Sequence, residues 1–192
     1  MYCRDRPDTE QLRSTLIEAH WSFMDRYADG MIARGPTLTE DGSAATGSLH
    51  IVDLPDRAAA DEFAFDEPNF RAGVYDEVLI RRWRSELDRA VADFDRDPGR
   101  NRRFLILGQG APDRLASQVT GERSAIGADR TDRLIVSGSL WSDDGTGWLG
   151  TASIVEMSDR AAVHALIAAD PGARAGWYAS VEVHPWEVGG RR

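Results

Sequence analysis

The stretch Gly47–Trp83 reads GSLHIVDLPDRAAADEFAFDEPNFRAGVYDEVLIRRW, and Gly150–Trp186 reads GTASIVEMSDRAAVHALIAADPGARAGWYASVEVHPW. The two align without a gap at an offset of 103 residues. Ile51/Ile154, Val52/Val155, Asp56/Asp159, Arg57/Arg160, Pro68/Pro171, Arg71/Arg174, Gly73/Gly176, Tyr75/Tyr178 and Trp83/Trp186 coincide. The same offset carries Gly35 onto Gly138, Asp41–Gly42 onto Asp144–Gly145, and Met1–Arg6 onto Phe104–Gln109. A register held over so long a stretch marks an internal duplication. The first repeat covers residues 1–85 and the second 102–192. Between them, residues 86–101 form a linker, in which Leu87, Val91 and Phe94 fall at helical spacing ahead of the breaker Asp97-Pro98-Gly99; the reading is a short helix and a turn.

Each repeat carries the same order of signals. Met1–Arg4 and Phe104–Leu107 read as first strands. In the first repeat Leu16, Ala19, His20, Phe23, Met24 and Tyr27 fit one helical face, with Asp8 or Thr9 as its cap and Gly30 as its stop. A second strand runs through Met31–Arg34 to a turn at Gly35-Pro36; its counterpart is Leu134–Val136 before Gly138. Asp41-Gly42 and Asp144-Gly145 are hairpin turns, Gly47–Asp53 is a third strand, and Asp56–Phe65 and Asp159–Ala168 are helices closed by Pro68 and Pro171. A last strand ends at Trp83 or Trp186. The order is β-α-β-β-α-β twice, the split βαβ or ferredoxin-like arrangement. Such a unit leaves one sheet face uncovered, so two in one chain are expected to pair as an intramolecular, pseudo-dimeric α+β barrel.

Composition narrows the function classes. The 192 residues carry a net charge of -9, and all 23 basic residues are arginine. Without lysine there is no Schiff-base chemistry and no GxxxxGK[ST] phosphate loop. An acidic chain is a poor partner for nucleic acid. The lone Cys3 supplies neither an internal disulfide nor a CxxC metal site, and reads as a strand residue in a reducing, cytoplasmic setting. No apolar run reaches membrane-span length, and MYCRDRPDTEQ has no signal-peptide core. Arginine in place of lysine, with abundant Asp, Ala and Gly, fits a GC-rich bacterial coding genome.

Gly35-Pro36, Gly47-Ser48, the helix end at Glu67-Pro68, Arg71-Ala72-Gly73-Val74-Tyr75, the terminal Trp83 and an Ala-His step at His20 together resemble the YciI-like, or YCII-related, family. The resemblance covers nearly all of both repeats. It implies the dimeric α+β barrel fold, here as a tandem version of the usual homodimer. It also implies a pocket with a His–Asp pair. The family histidine falls on His20, and the acid of its Asp-Pro step falls on Glu67, beside Asp66. The second repeat keeps Asp170-Pro171 but carries Arg123 where the first has His20, so one site at most is expected.

On their own chemistry, His20 is the best candidate for moving protons near neutral pH, with Glu67 or Asp66 to fix its tautomer. It also reads as a packed histidine with one hydrogen bond. Ser48 and Tyr75 are candidate donors to a developing oxyanion, Tyr178 likewise, and Gly35 offers open backbone to a pocket. Arg123 and Asp170 suit an ion pair or an anionic substrate. His50, His164 and His184 lack metal-ligand spacing, so neither a metal nor another cofactor is expected. Trp141, Trp148 and Trp177 occur only in the second repeat and read as interior filling or as a ligand pocket. Gly108-x-Gly110 is too little for nucleotide binding. The expectation is a cofactor-independent enzyme, an isomerase, lyase of dehydrochlorinase type or cyclase, acting on a cyclic or aromatic oxygenated small molecule. The alternatives are a cofactor-free monooxygenase, a non-catalytic ligand-binding or regulatory protein, and an inert pseudo-dimer.

Overall fold

The computed structural model describes residues 1–94, 101–112 and 133–191. The chain is α+β and divides into two compact units, Met1–Ile80 with Glu187–Arg192, and Arg81–Trp186.

Unit 1 holds β1 (Tyr2–Asp5), α1 (Glu10–Thr15), α2 (Ile17–Asp25), β2 (Met31–Leu38), β3 (Ala45–Val52), α3 (Arg57–Phe65), α4 (Pro68–Arg71) and β4 (Tyr75–Leu79). Its antiparallel sheet runs β4-β1-β3-β2. The third strand is thus inserted between the two strands joined by the first helix, as a split βαβ unit requires. Unit 2 holds β5 (Arg82–Ser85), β6 (Arg102–Gly110), β7 (Leu134–Trp141), β8 (Trp148–Met157), α5 (Arg160–Ala169), α6 (Pro171–Arg174) and β9 (Tyr178–Trp186). Its sheet repeats the order as β9-β6-β8-β7, with β5 added beside β7.

Local chemistry explains most boundaries. Asp56 and Asp159 cap α3 and α5, accepting from Ala59 N at 2.9 Å and Ala162 N at 2.8 Å. Gly42 and Gly145 turn the hairpins at φ +75° and +72°, where a side chain would be strained. Pro68 and Pro171 do more than close a helix: each opens a short new one, with Glu67 or Asp170 as its N-cap. The first helix is broken in two at Leu16, and Thr9 at its start makes no side-chain cap; its hydroxyl donates instead to Arg6 O at 2.7 Å.

Two expectations are corrected by long-range backbone bonding. Gly35-Pro36 is not a turn but lies inside β2. The spacing that predicts a helix through Leu87, Val91 and Phe94 gives only a 3₁₀ turn at Val91–Asp93. Glu86 N donates to Ser137 O at 2.8 Å, Arg89 reaches the Leu134 and Ile135 carbonyls, and Leu87 packs on the core of unit 2. Extended pairing there displaces the helix.

The unit boundary cuts across the repeats. The last strand of the first repeat stops at Leu79, and its continuation β5 pairs with β7. The tail after Trp186 belongs to unit 1, with Glu187 N donating to Pro36 O at 3.3 Å and Gly189 N to Arg34 O at 2.9 Å. The bond Glu86 N to Ser137 O is the same contact shifted by 103 residues. This explains the Gly35/Gly138 match. A Cβ at Gly35 would overlap the Glu187 carbonyl, and one at Gly138 would overlap Trp83 and the Arg84 carbonyl.

Unit 1 is closed by Phe23, Met24 and Phe63, and by Cys3, Val74 and Tyr75. In unit 2, Phe104, Ile106, Val155, Val163 and Val183 form the main cluster. Trp141, Trp148 and Trp177 pack together beside Tyr178, each 6% exposed or less, which favours filling over an open pocket. Among the described residues no helix is long and apolar enough to cross a membrane. Gly138→Ala should cost about 1–3 kcal/mol in urea unfolding, since the added methyl has to push aside Trp83 and backbone; an unchanged midpoint would refute the packed strand exchange.

Candidate functional site

Unit 1 carries a half-open cavity of about 600 Å³ whose wall includes His20, Ser48, His50, Asn69, Arg13 and Arg34. The sheet register sets one side of it. Arg34 pairs with His50 and Pro36 with Ser48, so these four side chains share a face by the two-residue period of strands. Helices α1 and α2 cover that face and bring Arg13 and His20, seven residues apart and hence nearly in line, over the strands.

His20 and Glu67 meet. His20 Nδ1 lies 2.6 Å from Glu67 Oε1, and the Glu67 side chain has no exposed surface. A carboxylate only accepts, so Nδ1 carries the proton and Nε2 is the nitrogen left for a ligand. The other Glu67 oxygen accepts Phe70 N at 2.9 Å, which fixes the carboxyl at the start of α4. Asn69 Nδ2 lies 3.3 Å from His20 Nδ1 and donates to the Tyr75 hydroxyl at 3.3 Å.

A second cluster adjoins it. Arg13 donates from Nη1 to both Asp5 oxygens, at 3.0 and 3.1 Å, and from Nη2 to Ser48 Oγ at 2.7 Å. Burial pushes the Asp5 carboxyl up, opposed by the Arg13 guanidinium. Burial also pushes the Cys3 thiol up to about 12, so Cys3 is the inert strand residue its context suggests. Buried His50 sits with its ring centroid 5.6 Å from that of His20, and desolvation holds it neutral.

The remaining site residues separate. Asp66 points away from His20 and binds Arg71 at 2.6 Å on the surface, because consecutive residues at the α3–α4 junction face opposite ways. Tyr75 is buried behind Asn69, with its phenol pushed well above the usual range by desolvation. Ser48 and Gly35 both line the cavity. Arg123 lies outside the described residues. The tail contributes Val188, Gly189 and Gly190 to the wall, and Arg191 anchors it on Glu18 at 3.1 Å, Ser22 at 2.8 Å and Asp25. Sequence reasoning missed Arg13, Asn69 and the tail. Arg13 could have been found from its spacing to His20; the tail, 140 residues or more from the strand it joins, carries no such signal. His164 is exposed, His184 bonds Glu182 at 3.0 Å, and the described residues hold no cluster of metal-ligating side chains.

Asp170, the counterpart of Glu67, caps α6 through Ala173 N at 2.7 Å, but its Oδ2 is buried without a hydrogen-bond partner among the described residues. Burial raises its carboxyl above the ordinary range, against the pull of backbone N–H groups. A raised acid favours the fold fully below its unfolded value, near 3.9, and loses that contribution as pH climbs through the folded value. Asp170→Asn, which can still cap, should therefore raise the melting temperature at pH 7, and the gain should vanish near pH 3; destabilisation at pH 7 would reveal a cationic partner instead.

A family model described as "YCII-related domain" matches residues 1–84 and again 103–187. Comparison with curated proteins gives no match. Among solved structures, a "putative monooxygenase" from Lactobacillus acidophilus NCFM superposes with a TM-score of 0.53 at 9% identity, covering 97% of this chain and 90% of that one, a likeness of fold. Two successive matches to one model, in the register of the internal repeat, mean that this chain belongs to the YCII-related family as a tandem duplication.

Proposed function

We propose that the unit 1 cavity is the active site of a cofactor-independent enzyme of small-molecule metabolism, with His20 as general acid–base. The observation that carries this is the 2.6 Å bond from His20 Nδ1 to the fully buried Glu67, in the wall of a cavity large enough for a ring-bearing ligand. Glu67 orients the ring and stabilises the imidazolium as it forms. Nε2 takes a proton from a carbon next to a carbonyl. The electron pair moves onto the carbonyl oxygen, and the Ser48 hydroxyl, held by Arg13, donates to the resulting enolate. The imidazolium then returns the proton to another carbon, which is an isomerisation. In an elimination, the enolate instead expels a leaving group from the neighbouring carbon.

The pseudo-dimeric barrel belongs with this proposal; its support is that each unit holds the tail of the other repeat. In this reading the second repeat completes the protein without a second His–acid site. Absence of a histidine from the matching position is also what favours the alternative, a non-catalytic ligand-binding or regulatory protein.

His20→Ala should lower turnover of an identified substrate by roughly 10²–10⁴-fold. Glu67→Gln should lower it less and move the acidic limb of the pH–rate profile, while Asp66→Asn should leave both unchanged. Full turnover in His20→Ala would reject the catalytic role, and ligand binding with no turnover would favour the alternative.

A further inference from the structure

The polar side of the cavity holds several polar atoms with no partner among the described residues. Arg34, with its side chain 24% exposed, gives Nη1 to Asp25 at 2.9 Å, while its Nε and Nη2 meet no acceptor among the described residues. Asp25 is shared with Arg191, which also pairs with Glu18 at 3.1 Å. The Arg13 charge, by contrast, is balanced by Asp5. Ser48, 1% exposed, accepts from Arg13 on its oxygen, and its own proton finds no acceptor among the described residues. His50 Nδ1, in a ring 1% exposed, and Asn69 Oδ1 are buried without a hydrogen-bond partner among the described residues. The open Arg34 fork is offered to a group that accepts, and the buried Ser48 hydroxyl to a second oxygen of the same molecule. Ile17, Trp21, Met24 and Val188 make the other walls apolar.

We propose that this cavity takes a small organic anion: a carboxylate or similarly acidic oxygen seated at Arg34, with Ser48 left to the developing enolate, carried on a flat apolar body that lies against Trp21, Ile17 and Val188. A guanidinium presents its N–H groups as a fork that matches a carboxylate, and Arg34 keeps that fork partly free. The assignment names the substrate class of the site proposed above and rests on that reading for its catalytic sense, but binding alone tests it.

The test uses benzoate and phenylacetate as anionic probes and benzamide as the neutral isostere, titrated into the full chain and followed by the indole N–H resonance of Trp21. Both carboxylates should shift that resonance saturably and bind at least tenfold more tightly than benzamide. Arg34→Gln, shown folded by circular dichroism, should bring benzoate down to the level of benzamide, and Arg34→Lys should restore part of the difference. His20→Gln should keep the preference, which separates this assignment from the acid–base role. Equal binding of benzoate and benzamide, no saturable shift with either carboxylate, or an undiminished preference in folded Arg34→Gln would each overturn it. A preference that holds while His20 variants turn over normally would leave the anion site standing and remove only the catalytic role of His20.

Discussion

A carboxylate with no exposed surface governs unit 1. Glu67 must have its two oxygens satisfied inside the protein, and it does so with the Phe70 N–H of α4 and the ring of His20. Removing one member of a buried pair of this kind is far more costly than never having built it, on the order of 3–5 kcal/mol. The demand of Glu67 therefore fixes three things together: where α4 begins, how α2 is rotated over the sheet, and which nitrogen of His20 faces the cavity. Arg13 is carried along, because it lies two turns before His20, and it meets Asp5 on β1 and Ser48 on β3. The cavity wall is in this sense a consequence of one acid placed between two helices.

The second repeat shows what happens when that demand changes. Asp170 keeps the capping bond but is shorter by a methylene, and one of its oxygens has no partner among the described residues. Asn69 is replaced by Gly172, which packs beneath Trp177 with no room for a side chain. His50 becomes Ser153, bonded to Ser137 at 2.9 Å, and a buried cluster of three tryptophans occurs in this repeat alone. The duplication has kept the fold's capping and turn chemistry in both halves while replacing Asn69 and His50 of the site by Gly172 and Ser153.

Much of this was legible in the sequence because the signals are local. The 103-residue offset gave the repeat, and period, cap and turn residues gave the strand and helix order. The His20–Glu67 pairing came from family resemblance and was not visible from spacing, since 47 residues separate the two. What stayed hidden depends on contacts between distant segments. Gly35 looks like a turn residue until the tail is seen lying across it, and Leu87 looks helical until β7 is seen to claim the backbone beside it. Asp66 and Glu67 are chemically alike in sequence; only the direction of the chain at the α3–α4 junction sends one to solvent and the other to His20.

The account turns on which nitrogen of His20 is bare. Imidazole ¹⁵N shifts of His20, recorded on the full chain at a pH where the ring is neutral, measure this directly. The Nδ1–H tautomer with an unprotonated Nε2 is predicted, changing in Glu67→Gln. A ring protonated on Nε2, with shifts indifferent to Glu67, would contradict the proposed acid–base site.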